Sequence, residues 1–425
     1  MLGWEFPPFI SGGLGTACYG LTKAMDELGL KITFVLPRIV DNKYTTHVKL
    51  LAPDYATTSA LNLSGLTNVK FRAINSPLQP YLAPDIYQQQ IEKALRQKKH
   101  GGNASSSDDV GSTIDYNCDM YTEVHRYAAI AAQLAKKEDF DVIHAHDWMT
   151  YPAGIAVSTM SGKPLIVHVH STEFDRSGEN VNQMIYDIER EGMHSAEKII
   201  AVSHFTRSII ISRYGVSGDK VEVIHNAVER NGNSKWILNE SGIDKDEKIV
   251  LFLGRITMQK GPEYFLQAAK KVLNAIDNVK FVMAGSGDMM HRAVEIVAEL
   301  GIGHKVLFTG FLRGEDVQKI YQMADLYVMP SVSEPFGIAP LEALNNDVPV
   351  IISKQSGVSE VLRHALKVDF WDVDEIANKI IAVLKYPPLR ETLANYGNFE
   401  VRRLRWRDSA QKCAKIYEEA SAAVC

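Results

Sequence analysis

Two carboxylates lie eight positions apart near the C-terminal end of the chain. Glu334 and Glu342 belong to the run S-V-S-E-P-F-G-I-A-P-L-E-A-L over residues 331–344. The apolar residues 326–330 come just before, so Glu334 should follow a buried strand and Glu342 should lie in the first turns of a helix. Ligands of open α/β sheets bind at the carboxyl ends of strands. Acids at a helix start are also favoured by the helix dipole alone, so both interpretations stay open for the bare spacing.

A basic pair occupies a second predicted strand-to-helix loop. Residues 254–261 read G-R-I-T-M-Q-K-G and supply Arg255 and Lys260. Arginine offers a rigid fork of donors and lysine a compact charge, a combination that suits a diphosphate. The loop lacks the spacing of a Walker A motif. The alternative is a pair of solvated surface cations.

The spacing from Glu334 to Glu342 resembles the E-x7-E signature of retaining glycosyltransferases of family 4. That family has the GT-B fold, an α/β architecture of two Rossmann-like domains facing across a cleft, with a C-terminal helix that crosses back to the first domain. The resemblance implies that Glu334 binds donor-sugar hydroxyls and Glu342 the nucleotide ribose. The other donor-side residues that it implies are Arg255 and Lys260 on the diphosphate, with the amides of Phe336 and Gly337 on the sugar.

The beginning of the chain carries a second resemblance. Residues 4–8 read W-E-F-P-P and residues 11–15 read S-G-G-L-G, which precede a helical pattern. Glycine amides at a helix N-terminus can bind anions, although a tight turn explains them equally well. Together the two runs resemble the glycogen and starch synthase branch of the family. The resemblance implies that Gly13 faces the diphosphate, that the donor sugar is glucose, and that the acceptor is an α-1,4-glucan.

Two further loops follow predicted strands of the second half. Residues 285–287 read G-S-G and residues 308–311 read F-T-G-F. Loops of this kind can hold a nucleotide base through backbone contacts, or they can be simple turns. The residues predicted to line the base are Gly285, Gly287, Thr309, Gly310 and Phe311.

Four histidines form two H-x-H pairs at predicted strand ends. His144 pairs with His146, and His168 with His170, each pair on one face of its strand. Such pairs can bind a catalytic metal in hydrolases, but Asp147 is the single obvious acidic partner. The family resemblance implies instead that His170 lies near the anomeric region of the sugar and that Asp147 lies on the acceptor side. His144 and His168 can then be packed strand residues.

Two acidic patterns have simpler explanations. Asp372-Val373-Asp374 imitates a D-x-D metal motif, but Asp374 directly precedes a helical pattern and is predicted to be its N-cap, so no metal is assigned. Residues 356–360 read S-G-V-S-E and resemble the G-G-x-x-E loop of the family, with Ser356 in place of the first glycine. Glu360 is either part of that loop's function or a helix-start acid.

Composition limits the classes of function. A chain of 425 residues exceeds the size of one hydrophobic core, which predicts two domains. The net charge of −5 predicts no basic field for nucleic acid or an anionic membrane. Four scattered cysteines suit a reducing cytoplasm and argue against a zinc ribbon. Residues 6–22 are uncharged but are broken by proline and glycine, so no signal peptide or membrane span is expected.

The order of elements predicts two nucleotide-fold halves. Residues 1–226 form the acceptor domain, with a mobile insertion at about 85–117, and residues 227–400 form the nucleotide-sugar domain. A polar crossing is predicted at 229–234, and residues 401–425 supply the returning helix. Residues 1–5 look like the tail of a first strand, so either the start is assigned late or the strand is short. The strands predicted elsewhere are 31–36, 142–145, 165–170, 198–202, 221–224, 249–253, 279–284, 306–309, 326–329 and 350–352.

The combined prediction is a metal-independent retaining hexosyltransferase that uses ADP- or UDP-glucose and no other cofactor. In the family the acceptor proton is thought to pass to a phosphate oxygen, so no protein nucleophile is named. The predicted partners are the nucleotide-sugar and a carbohydrate acceptor, and the sequence does not indicate an oligomeric state. Three alternatives remain: transfer to a small acceptor such as a sugar phosphate, a metal-dependent hydrolase that uses the H-x-H pairs, and a non-catalytic carbohydrate-binding relative.

Overall fold

A computed structural model describes residues 1–6, 12–36, 50–51, 68–73, 120–229 and 247–424. The insertion predicted at about 85–117 lies outside these residues, as does most of the crossing predicted at 229–234.

The described chain is a mixed α/β protein whose strands alternate with helices. Strands β1 to β13 are Ile32–Leu36, Leu50–Leu51, Val69–Ala73, Ile143–His146, Leu165–Val169, Lys198–Ala201, Val221–Val223, Lys248–Leu253, Val279–Ala284, Val306–Gly310, Leu326–Met329, Val350–Ser353 and Leu366–Val368. Helices α1 to α13 are Gly13–Glu27, Met120–Ala135, Tyr151–Ser161, Glu173–Ser177, Gln183–Ser195, His204–Tyr214, Pro262–Leu273, Met290–Glu299, Glu315–Met323, Ile338–Asn345, Val373–Lys385, Pro387–Val401 and Trp406–Val424.

Parallel sheets form the centre of both Rossmann-like domains. The first sheets have the orders β1-β3-β2 and β4-β5-β6-β7. Leu2 forms single parallel bridges to Val35 of β1 and to Ala145 of β4, where the sequence predicted the tail of a first strand. The six-stranded sheet has the order β10-β9-β8-β11-β12-β13. This is the doubly wound order in which the strand sequence reverses between the first and fourth strands, here β8 and β11.

The chain divides into two compact units. The first contains Met1–Val169, Met184–Ile200 and Cys413–Cys425, and the second contains His170–Gln183 and Ala201–Lys412. This division differs from the predicted boundary at residue 226, because segments 170–183 and 201–226 group with the second unit. Helix α13 is divided between the units after Lys412.

The core of the second unit explains its apolar runs. Strands β8, β9, β11 and β12 are buried almost throughout, as expected for parallel strands that helices cover on both faces. Phe252, Phe265 and Phe281 pack as a ring cluster between the sheet and α7. The sheet therefore gives the loops at its carboxyl edge a rigid base.

The predicted N-cap of α11 was wrong by two residues. The helix begins at Val373, and the side chain of Asp372 accepts a hydrogen bond from the Glu375 amide at 2.8 Å. Asp374 lies in the first turn, where its carboxylate pairs with Lys271 at 2.5 Å. Both acids of the D-x-D pattern thus have structural partners.

Among the described residues, no helix combines the length and apolarity that crossing a bilayer requires.

Candidate functional site

The site in the second unit forms where β8 and β11 lie side by side. The two strands pair in parallel, so the loops that follow them leave the same edge of the sheet. One loop carries Arg255 and Lys260, and the other carries Glu334. The Val332 amide donates to the Gln259 carbonyl at 2.9 Å, which ties the two loops together. Ligands bind where the strand order reverses in such sheets.

Lys260 and Glu334 form an ion pair between these loops. Their side chains are 19% and 8% exposed, so the pair is largely removed from water. The Ser331 hydroxyl lies 3.4 Å from the same carboxylate oxygen of Glu334. Arg255 is half-buried, and its guanidinium donates to the Gln259 side chain at 3.3 Å. The structure therefore brings these three predicted residues together with both signs of charge.

The predicted base loops meet at the same edge. The Gly285 amide donates to the Gly310 carbonyl at 2.8 Å, and the Ile256 amide donates to the Ser286 carbonyl at 2.9 Å. The Thr309 hydroxyl donates to the Gly310 carbonyl at 3.0 Å. The Phe311 ring is partly exposed, and the Arg313 guanidinium lies over it at 5.1 Å.

Close packing is by itself a reason for glycine at positions 285 and 287. A Cβ atom on Gly285 would lie 1.9 Å from the Gly254 carbonyl oxygen, and one on Gly287 would lie 2.2 Å from the Ile256 carbonyl oxygen. Any side chain there would push this loop away from the loop of Arg255. Contact with a nucleotide base remains a prediction for both loops.

A set of hydrogen bonds positions the loop from Glu334 to Gly337. The Ser203 hydroxyl donates to the Pro335 carbonyl at 2.6 Å, and the Thr206 hydroxyl donates to the same oxygen at 3.2 Å. The Val358 amide donates to the Phe336 carbonyl at 2.6 Å. Ser203 is also the N-cap of α6, because it accepts from the Thr206 amide. Sequence reasoning missed this contact, although the serine before a helix was a visible capping signal.

Glu360 caps a helix that is distant from it in sequence. Its carboxylate accepts from the amides of His204 and Phe205 at the start of α6, at 2.9 and 2.7 Å. It also lies 3.1 Å from Nε2 of His225, whose ring packs against Phe336. Burial raises the pKa of Glu360, but the hydrogen bonds from His225 and the two amides outweigh it, so the pKa is lowered. Glu360 therefore links the start of α6 to the loop of Phe336 through His225.

Glu342 lies in α10 and has a tyrosine partner. The Tyr321 hydroxyl donates to its carboxylate at 3.0 Å. Burial raises the pKa of Glu342, and the hydrogen bond from Tyr321 opposes this shift only in part. Desolvation and the nearby Glu342 raise the pKa of Tyr321 well above its usual value. The hydrogen bond from Tyr321 holds the half-buried carboxyl in one orientation, and its contact with the ribose stays a prediction.

His170 belongs to the second unit with the residues above. It precedes the short helix α4, where Thr172 and Asp175 form a capping box. The Ser333 hydroxyl, next to Glu334, donates to Asp175 at 2.5 Å. Desolvation lowers the pKa of His170 to about 3, so its imidazole is neutral at pH 7. The contact between Asp175 and Ser333 spans 158 residues and had no signal in the sequence.

The first unit contains Gly13 and Asp147. Gly13 is exposed and begins α1, and a Cβ atom there would have no neighbour within 4 Å. The Gly15 amide donates to the buried Glu5 carboxylate at 3.0 Å, and a contact between Gly13 and the diphosphate stays a prediction. Asp147 is buried and has φ 60° and ψ 168°, a conformation almost exclusive to glycine.

Burial and the negative charges of Asp147 and Glu5 raise the pKa of the Cys18 thiol well above its usual range.

A buried histidine cluster, defined here as His144, His146 and His168, lies in the same unit. The ring centroids are 4.2 to 5.3 Å apart, and the interplanar angles are 13° to 29°. Nδ1 of His144 lies 2.5 Å from the Tyr417 hydroxyl, and its Nε2 lies 3.3 Å from Nδ1 of His168. A nitrogen of each ring lies within 4.8 Å of a nitrogen of each of the other two rings. The ring packing and the hydrogen bonds of His144 suit buried structural side chains, and a metal centre stays the alternative hypothesis for this cluster.

Comparisons with known proteins identify both halves of the chain as similar to glycosyltransferases. Residues 116–231 match the model of Glycosyltransferase Family 4, and residues 234–398 match that of Glycosyl transferases group 1. These matches support a family 4-like glycosyltransferase. The chain is 29% identical over 436 residues to an uncharacterized glycosyltransferase of Methanocaldococcus jannaschii, covering 99% of this chain and 97% of that protein.

Two further similarities concern sequence and fold. D-inositol 3-phosphate glycosyltransferase 1 of Catenulispora acidiphila is 26% identical over 313 residues, which are 68% of this chain and 75% of that protein. The sucrose-phosphate synthase structure from Thermosynechococcus elongatus superposes with a TM-score of 0.70 at 20% identity, covering 99% and 96% of the two chains. The fold of this chain is therefore GT-B.

Proposed function

We propose that the protein is a retaining glycosyltransferase that transfers glucose from ADP- or UDP-glucose. The observation that carries this proposal is the group of Arg255, Lys260 and Glu334 where β8 and β11 adjoin. Departure of a nucleoside diphosphate develops negative charge on its phosphate oxygens. Fixed cationic donors at that position stabilise the transition state because they need no reorganisation.

The remaining residues of the second unit supply orientation. Glu334 and the amides of Phe336 and Gly337 position the sugar, and Glu342 binds the ribose. A neutral His170 donates or accepts a hydrogen bond near the anomeric carbon without adding charge. The acceptor hydroxyl loses its proton to a phosphate oxygen of the donor, so the reaction needs neither a protein nucleophile nor a metal ion.

The acceptor has two candidates. The runs at residues 4–8 and 11–15 favour an α-1,4-glucan, as in glycogen synthases. The similarity to an inositol 3-phosphate glycosyltransferase favours a small phosphorylated acceptor instead. Asp147 is proposed to contact the acceptor in either case, and its strained backbone supports a functional role.

A donor and acceptor panel tests the proposal. Release of nucleoside diphosphate is measured for ADP- and UDP-sugars, each with glycogen, maltooligosaccharides, glucose 6-phosphate or inositol 3-phosphate. Product release that requires both substrates, with retained anomeric configuration by NMR, is the expected result. Donor hydrolysis without transfer, or no turnover of any nucleotide-sugar, would contradict a transferase. The productive acceptor decides between the glucan and the phosphorylated candidate.

A further inference from the structure

The end of α12 and the turn that follows it carry an exposed basic and aromatic surface. Tyr396 and Phe399 lie on the outer side of α12 and are 55% and 60% exposed. Arg402, Arg403, Arg405 and Arg407 follow within six positions, and all four are exposed. We define these six residues as the aromatic-arginine patch.

The helix geometry presents part of this patch as one stripe. Tyr396, Phe399 and Arg403 are spaced i, i+3 and i+7, which puts them on one face of a helix. The Arg402 and Arg403 amides donate to the carbonyls of Asn398 and Glu400, so the helical path continues through the turn. The opposite face of α12 buries Leu393, Ala394, Gly397 and Val401.

The charges of the patch are not compensated by ion pairs. In the part of the chain that the structure describes, none of the four arginines lies within ion-pair distance of an acid, and Arg402 donates to the Asn398 side chain at 2.7 Å. Glu400, the nearest acid of α12, instead accepts from the Arg363 and His364 amides and pairs with the His364 ring at 2.8 Å. Asp408 is the acid that follows the arginines, so a positive charge excess remains. The net charge of −5 for the whole chain conceals this local field.

We infer that the aromatic-arginine patch docks the protein on the surface of an anionic lipid bilayer. Charge complementarity supplies the argument, since arginines near an anionic leaflet each add to the attraction. Tyrosine and phenylalanine rings beside them match the boundary between headgroups and acyl chains. A patch of at most four charges and two rings is small, so the predicted association is reversible and sensitive to salt.

Vesicle flotation with the full-length protein tests this inference. The probes are vesicles of equal parts phosphatidylglycerol and phosphatidylcholine, compared with phosphatidylcholine alone. Binding to the anionic vesicles that weakens at high ionic strength is the expected result. The double variant R403E/R405E should bind at least about tenfold more weakly, because reversing two of the four arginine charges leaves the patch with no net charge and so cancels its attraction to the anionic surface. Phe399→Ser should also weaken binding.

Matched variants control for charge and apolar area. Arg190→Glu reverses an exposed arginine of α5, and Tyr386→Ser removes a ring that is 61% exposed at the other end of α12. Tyr386 is roughly 15 Å from Tyr396 along the helix axis at 1.5 Å per residue. Both controls should bind like the unaltered protein, and R403E/R405E should retain its circular dichroism spectrum and nucleotide-sugar turnover.

Three results would overturn the inference. One is a lack of binding to anionic vesicles by the unaltered protein. Another is an equal loss of binding in the control variants. The third is patch-dependent binding of a homopolymeric RNA without vesicle binding, which would assign the patch to nucleic acid. None of these outcomes depends on whether the proposed transfer reaction is correct.

Discussion

Two regions of the molecule contain several side chains of the kinds that bind ligands. One is the strand edge with Lys260 and Glu334, and the other is the histidine cluster of His144, His146 and His168. At the strand edge, a cationic and an anionic group come from separate loops. They meet beside β8 and β11, the two strands between which the strand order reverses. In the cluster, three rings of one chemical type pack together inside the first unit, and His144 lies within hydrogen-bond distance of His168 and Tyr417. The type of a residue therefore identifies it as a candidate for ligand binding. The direction of its polar atoms decides whether several such residues can bind the same ligand.

The largest expected effect comes from removing the cations of the strand edge. Arg255→Ala and Lys260→Ala should each lower kcat/KM by about 10²-fold, the typical loss for one fixed donor. Steady-state release of nucleoside diphosphate measures this loss. Lys271→Ala is the control, because Lys271 forms an exposed pair with Asp374 on the same unit and should change turnover by less than about twofold. Near-normal turnover in both site variants would show that the strand edge does not stabilise the diphosphate.

The close approach of the loops predicts a loss of stability at Gly287. An alanine there must move the loop, since its Cβ would lie 2.2 Å from the Ile256 carbonyl oxygen. Gly287→Ala should lower the free energy of unfolding by about 1–3 kcal/mol, as overpacking does. Urea unfolding measures the change. Gly303→Ala is the control, because its Cβ would meet its nearest neighbour at 3.8 Å, and equal midpoints for the two variants would show that the loop has room.

The two glutamates should differ in the kinetic constant that they affect. Glu342→Gln should raise the donor KM by about tenfold with little change in kcat, because a ribose contact persists through the reaction. Glu334→Gln should lower kcat instead, because contacts to the sugar strengthen as the bond breaks. Initial rates over a range of donor concentrations separate the constants. If both variants changed KM alone, the assigned roles would be wrong.

The smallest expected effect concerns the histidine cluster. Dialysis against a chelator should leave turnover unchanged, because Arg255, Lys260 and backbone amides are proposed to stabilise the diphosphate. Elemental analysis of the purified protein should find no stoichiometric zinc. Loss of activity that zinc restores would favour the hydrolase and reverse the contrast between the two regions.

Much of the fold could be predicted because buried parallel strands are short apolar runs between helical patterns. The prediction matched Val279–Ala284 and Leu326–Met329 residue for residue. The N-cap of α11 was less predictable, because Asp372 and Asp374 are both good N-cap residues. Only the backbone conformation shows that Asp372 is the N-cap. The strands Leu50–Leu51 and Val69–Ala73 were not predicted.

The site could be predicted only as far as its motifs reach. Glu334, Lys260 and Arg255 lie in recognisable loops, and their placement at one sheet edge follows from strand parallelism. The groups that position them, such as Ser203 on Pro335 and Ser333 on Asp175, are separated from their partners by 132 and 158 residues. Long-range hydrogen bonds of this kind leave no periodic pattern in the sequence, so they required the structure.

The backbone at Asp147 has a consequence for the engineering of this protein. Holding a non-glycine residue at φ 60° and ψ 168° costs on the order of 1–3 kcal/mol. Asp147→Gly should release that energy and raise the melting temperature while it removes the carboxylate proposed to meet the acceptor. A directed-evolution experiment that selects for thermostability alone should therefore enrich Asp147→Gly. The selected variants should have a higher melting temperature and a lower transferase activity.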